Sequence, residues 1–274
     1  MRPDERQIDR ADRDPYNRPR SGRVWTQSRF TQTVPMFGFV PEQVLPVFFG
    51  LALMRILLTN DDGIFAPGLA AIYKQLIHLG EVLVVAPADS QSGASHAVTF
   101  FEPLACAKAD IAGLFSGHAV YGSPADCVKL AVRQLHPEPI DLVVAGINNG
   151  ANVGINVYYS GTVAAAMEGA FLGIPSLALS LAAEREMDFD SAADYGIEVL
   201  EKLGPLEPRD VVNVNIPLLS RGEPKGVRVV PQATSGFHEY YIPQGDAEAK
   251  TLFQLAGGGH RQEPLPVDTT ALAE

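Results

Sequence analysis

From Met54 onward, short apolar runs alternate with stretches whose apolar residues recur at helical spacing. Residues 55–59 (RILLT) run into the turn-forming series Asn60-Asp61-Asp62-Gly63, which reads as a buried strand and its loop. Pro67 suits a first helical turn, and Leu69, Ile72, Tyr73, Leu76 and Ile77 keep a helical period until Gly80. Residues 81–86 (EVLVVA) form a second apolar run, closed by Pro87. Strand, helix and strand within about thirty residues make a βαβ unit, whose strands must pair in parallel.

The rhythm continues. Ser123 caps a helix opened by Pro124, with Val128, Ala131, Val132 and Leu135 on one face. Residues 141–145 (DLVVA) read as a strand, 162–172 as a helix and 176–180 as a strand. A helix bearing Ala193, Ile197 and Leu200 then leads to a strand at 211–216. The expected fold is a doubly wound, mostly parallel three-layer α/β/α domain with helices on both faces. Past residue 217 the helical rhythm is lost: 227–230 reads as a strand, 239–242 as a hairpin arm, and the tail from Gly257 carries no pattern. The expected organisation is therefore a catalytic domain over 54–217 and a small β-rich C-terminal arm over 218–274.

Residues 1–30 lack apolar periodicity and read as disordered. The apolar stretch from Met36 to Leu53 is interrupted by Pro41, Glu42, Gln43 and Pro46, which makes it a poor membrane span. Export on a signal peptide is a minor alternative to the favoured reading, in which residues 1–53 are an upstream extension and Met54 is the true start.

Charge narrows the function. The net charge is −11, but residues 1–30 hold eight Arg against five acidic residues, leaving 13 basic against 27 acidic in the remainder. So acidic a body argues against binding a nucleic-acid polymer through a basic surface. A phosphorylated ligand would need a metal ion and backbone N–H groups instead. Cys106 and Cys127 lie in apolar surroundings without a C-x-x-C pattern, which favours a reduced, cytoplasmic protein.

In open α/β sheets ligands bind beyond the carboxyl ends of the strands, so the loops after each strand carry the information. Asp61 and Asp62 are adjacent carboxylates that repel unless a cation neutralises them, and they suit Mg²⁺ or Mn²⁺; Asn and Asp also suit caps and turns. Residues 89–96 (DSQSGASH) offer hydroxyls and the flexible Gly93 to a metal or a phosphate, and equally read as an ordinary Ser/Gly loop. His96 there is a possible general acid or simply structural. Residues 146–154 (GINNGANVG) present amide oxygens as metal ligands and glycines that let N–H groups approach phosphate. They match neither G-x-G-x-x-G nor a P-loop. Tyr159-Ser160-Gly161-Thr162 opens a helix, either an anion site or a plain N-cap. Residues 127–133 (CVKLAVR) fit a C-x₅-R count, yet Val128, Ala131 and Val132 sit at core spacing, so Cys127 reads as a buried small hydrophobe. His238-Glu239 lacks the second histidine of H-E-x-x-H.

In this order the segments MRILLTNDDGI (54–64), APADSQSGAS (86–95), YGSPADCVKLA (121–131), AGINNGANVG (145–154), YYSGTVAAAMEGAFLGIPSLALS (158–180) and VNVNIP (212–217) closely resemble the survival protein SurE family. The resemblance covers Met54 to Glu274, and the family's sequence typically begins at the position of Met54. It implies a Rossmann-like nucleotidase hydrolysing nucleoside 5′- and 3′-monophosphates, with some activity on short polyphosphate. It implies one divalent cation (Mg²⁺ or Mn²⁺) per subunit on Asp61, Asp62, Ser92 and Asn148, with Asp61 and Asp62 at the centre of catalysis. Phosphate would meet Asn60, Gly93, Asn149, Ser160, Gly161 and Thr162. A homodimer or homotetramer is expected, with no membrane partner. Two departures stand out: Gly122-Ser123-Pro124 replaces the family's usual Gly-Thr-Pro, and the chain stops before the family's final strand, so the arm exchanged between subunits is expected to be incomplete. The competing reading is a catalytically inactive nucleotide-binding module.

Overall fold

The computed structural model describes residues 54–247, 250–260 and 266–273; the expectations for residues 1–53 lie outside these. The chain enters on β1 (Met54–Thr59), then α1 (Pro67–Leu76), β2 (Gly80–Pro87), β3 (Cys106–Ile111) and β4 (Phe115–Val120). It continues through α2 (Pro124–Leu130), β5 (Leu142–Asn149), α3 (Gly161–Phe171), β6 (Ser176–Leu181), α4 (Phe189–Leu203) and β7 (Val211–Ile216). One seven-stranded sheet has the order β3-β4-β2-β1-β5-β6-β7, with only β3 antiparallel to its neighbour.

Strands covered on both faces read as unbroken apolar runs, and this explains why β1, β5 and β6 were legible. Ile56, Leu57 and Leu58 are fully buried, as are Val143, Val144 and Ala145, and every residue of β6 is buried. Helices α1 and α4 pack against one another, and α2 packs against α3. Glycine permits the tightest approach at Gly68, where a Cβ would lie 2.1 Å from the Ile147 carbonyl oxygen, so the start of α1 rests directly on β5.

The helix starts follow capping chemistry. Ser123 and Asp126 form a reciprocal capping box on α2, the Asp126 N–H donating to Ser123 Oγ and the Ser123 N–H to Asp126 Oδ2. Asp188 caps α4, accepting from the N–H and Oγ of Ser191. Those two bonds hold the Asp188 carboxyl below its ordinary value. Its contribution to stability is thus present above the unfolded value of 3.8 and is lost as pH falls through the folded one. Asp188→Ala is expected to cost about 0.5–1 kcal/mol at neutral pH, read by urea denaturation, and the difference should shrink below pH 4 or so.

Two expectations need correction. The strand at 227–230 does not form: this stretch joins neither sheet, and Val227 and Val229 are 50% and 89% exposed between Pro224 and Pro231. Cys106 lies exposed on the edge strand rather than in apolar surroundings. The hairpin arm expected at 239–242 forms and is longer than read from the sequence. β8 (Phe237–Ala247) pairs with β9 (Lys250–His260) in an antiparallel hairpin, followed by α5 (Asp268–Ala273). The Asp268 carboxylate accepts from the N–H groups of Gly154 and Ala233, tying the C-terminal segment to the loop that precedes α3. Among the described residues no helix is long and apolar enough to cross a membrane.

Candidate functional site

All strands of the seven-stranded sheet but β3 run the same way, so their following loops gather at one edge. The chain lays β2 and β4 on one side of β1, then returns to place β5, β6 and β7 on the other. The loops after β1 and β5 consequently diverge and open a crevice between them. Asp61 and Asp62 follow β1 there, and Asn148 and Asn149 end β5.

Asn60 shapes the first loop. It is fully buried, its Nδ2 donates to the Gly63 carbonyl (2.8 Å), and the Gly63 N–H donates to its Oδ1 (3.2 Å). The positive φ of Gly63 (101°) completes the turn. Both ends of the Asn60 amide are therefore engaged in presenting the two aspartates.

Asp61 is 4% exposed and accepts a short hydrogen bond from Thr162 Oγ1 at 2.5 Å. Burial pushes its carboxyl above the ordinary value, the Thr162 hydroxyl draws it down, and the charge of Asp62 adds to the rise. No cationic side chain enters that balance among the described residues. Asp62 is half-buried, and its Oδ2 accepts from the Asn149 N–H at 3.0 Å. The Asn148 side chain donates through Nδ2 to the Gly150 carbonyl (2.7 Å).

Ser160 caps α3, its Oγ accepting from the Val163 N–H at 3.1 Å, which leaves the N–H groups of Gly161 and Thr162 at the helix start without intrahelical partners. Gly161 abuts Asp61: a Cβ there would fall 2.8 Å from Asp61 Cβ. The loop after β2 closes the third side. The Gln91 N–H donates to the Asp61 carbonyl (2.7 Å), while the N–H and Oγ of Ser95 donate to the carbonyls of Tyr159 and Tyr158. Ser92 and Gly93 are exposed on this loop, with Ser92 Oγ 3.1 Å from Ser90 Oγ and Gly93 at φ 73° with open space where a side chain would sit.

The fold thus gathers Asp61, Asp62, Gly161, Thr162 and Asn149 by direct contact, and ties the Ser92–Gly93 loop to them through the backbone. A network not read from the sequence supports that loop. The buried Glu168 of α3 accepts from Lys129 Nζ of α2 (2.6 Å) and bonds His96 Nε2 (2.9 Å). His96 also stacks on Phe171. Glu168 is the only charged residue in TVAAAMEGAFL, and a single charge in an apolar helix was the available signal of a buried pair. Cys127 is fully buried, and burial pushes its thiol well above the ordinary value, so it is not the thiolate of a C-x₅-R loop. Among the described residues no three His, Cys, Asp or Glu side chains cluster as a metal centre. A cation here would rest on two carboxylates and neutral oxygens.

A doubly wound sheet with an acidic pair, a helix N-terminus and a Ser/Gly loop at its switch point defines an α/β protein whose candidate site lies beyond the carboxyl ends of its strands. The family model described as Survival protein SurE matches residues 56–239, and the chain belongs to that family. It is 50% identical over 203 residues to the 5′-nucleotidase SurE of Rhodopirellula baltica, covering 73% of this chain and 80% of the relative. It is 50% identical over 225 residues to the 5′-nucleotidase SurE of Desulfitobacterium hafniense, covering 81% and 87%. Among solved structures, the SurE protein from Aquifex aeolicus superposes with a TM-score of 0.67 at 37% identity, covering 80% of this chain and 89% of that one.

Proposed function

We propose that the protein is a nucleotidase that cleaves nucleoside 5′- and 3′-monophosphates to nucleoside and phosphate, and also short polyphosphate, with one divalent cation (Mg²⁺ or Mn²⁺) per subunit. Family membership and the relatives' name support the activity. The observation that carries the site is the buried Asp61 beside Asp62, two adjacent carboxylates, with no cationic side chain among the described residues acting on Asp61. This donor set fits a hard divalent ion, with Asp61, Asp62, Ser92 Oγ and the Asn148 side-chain oxygen as its holders. When bound, such an ion supplies Lewis acidity and a more acidic bound water.

The remaining work falls to the chain. Thr162 holds Asp61, and the Asn149 N–H holds Asp62, so both carboxylates are oriented before any ligand arrives. The phosphate lies against Gly93, Asn149 and the start of α3, where the Gly161 N–H donates to its oxygens as charge develops and the Thr162 N–H helps hold Asp61. Water attacks in line and the nucleoside leaves. Labelled phosphate trapped on the protein by rapid quench would instead assign Asp61 as the nucleophile.

Residues 54–217 carry the chemistry and 218–274 the arm through which copies associate as a homodimer or homotetramer, a state read by light scattering after gel filtration. The protein works in the cytoplasm. Phosphate release from AMP with Mg²⁺ or Mn²⁺ should fall at least about tenfold when a chelator is added and return with excess cation. Binding of AMP without turnover under every cation condition would replace the enzyme by an inactive binding module.

A further inference from the structure

A phosphatase site must also decide what it accepts on the far side of the phosphate. Beside the acidic pair lies an open cavity of about 390 Å³ with Asp62 and Asn149 on its wall, in the size range of small-molecule sites. The same wall carries Phe65, Pro67 and Phe189, together with the carboxylate of Asp89. Phe65 stands three residues beyond Asp62 and is 66% exposed. The ring of Phe189 lies on the first turn of α1, where a Cβ on Gly68 would come within 3.1 Å of its Cε1.

Exposure alone does not single out Phe65, since Phe100, Phe101, Tyr158 and Tyr159 are also exposed. What distinguishes it is that it shares one cavity with Asp62, whereas those four rings are absent from that wall. The charge of the wall is equally informative. Among the described residues it carries two aspartates and no Lys or Arg, so it repels a second phosphate and suits an uncharged group. An aromatic ring and an aspartate lining the same cavity match the two halves of a nucleoside, a flat base and a ribose.

Resting on the nucleotidase reading, we propose that this cavity is the nucleoside subsite, with Phe65 as the stacking platform for the base and Asp89 as acceptor for ribose hydroxyls. Stacking is indifferent to base identity because every base has a π face, so the platform selects nucleotides over other phosphate monoesters without selecting among bases. Polyphosphate would not use it.

The test compares kcat and KM for AMP and for ribose 5-phosphate, with Mn²⁺ or Mg²⁺, in the wild type, Phe65→Ala and Phe65→Tyr. Phe65→Ala should lower kcat/KM for AMP by about tenfold, mainly through KM, because one stacked base is lost. Ribose 5-phosphate should stay within about twofold, since it never reaches the ring, and Phe65→Tyr should behave as wild type. Unchanged AMP kinetics in Phe65→Ala, or an equal fall for both substrates, overturns the platform while leaving the nucleotidase reading intact. A wild type that cleaves neither AMP nor GMP under any cation condition removes that reading, and the subsite falls with it.

Discussion

Asp61→Asn is expected to lower AMP turnover by roughly 10²–10³-fold, the scale of losing one preorganised electrostatic group, while leaving the metal-free protein at least as stable as wild type. The two effects have one cause. Asp61 is 4% exposed, and burial together with Asp62 raises its carboxyl above the ordinary value of 3.8. A carboxyl raised in the folded state keeps its proton where the unfolded chain has released it. Its effect on stability is therefore unfavourable, growing as pH rises from about 3.8 through the folded value and constant above it. Asn removes that charge but keeps an oxygen that can accept from Thr162 Oγ1, so the contact with α3 survives. Thermal unfolding in chelator should show the variant gaining on wild type as pH rises above about 4, whereas phosphate release at neutral pH collapses. A variant retaining wild-type turnover would remove Asp61 from the proposed chemistry.

Gly161→Ala is the second large effect. Its Cβ would lie 2.8 Å from Asp61 Cβ, 3.0 Å from Pro124 Cγ and 3.1 Å from Asp61 Oδ2. A real Cβ essentially never sits as close as the first of these, and the other two are tight, so α3 and the β1 loop must separate. Misplacing a reacting group by about 1 Å costs roughly 10²-fold, and overpacking costs about 1–3 kcal/mol, partly offset by the better helix propensity of Ala. Steady-state kinetics should show the fall in kcat/KM, accompanied by weaker cation activation. Unfolding should show a change in stability far too small to account for it. Normal kinetics would mean that the start of α3 yields without disturbing Asp61.

Glu168 illustrates how a residue can be visible in sequence yet unreadable. A carboxylate inside the apolar helix α3 signals a partner, but those partners are Lys129 on α2 and His96 on the loop after β2, each dozens of residues away. Only the packing of α2 against α3 identifies them. The same holds for β3 and β4. Residues 106–111 (CAKADI) lie at the sheet edge and are exposed at four of six positions, so they lack the buried run that reveals β1, β5 and β6. Residues 227–230 err the other way: a valine alternation suits a strand, but a strand also requires a ladder.

The chain by itself determined the βαβ order, the helix starts at Ser123 and Ser160, and the placement of Asp61 and Asp62 directly after a buried strand. Each depends on periodicity or local hydrogen bonding within a few residues. Tertiary structure decided what stands beside that pair. Thr162 and Gly161 against Asp61, the Asn149 N–H on Asp62, and the cavity shared with Phe65 and Phe189 join segments that meet only because parallel strands bring their carboxyl ends to one edge. It also decided that Asn60 turns its amide to Gly63, and that Asp61 is buried deeply enough for its charge to cost stability. Burial and electrostatic coupling belong to the packed chain, because both depend on which surfaces are taken from water and which charges are brought within a few ångströms.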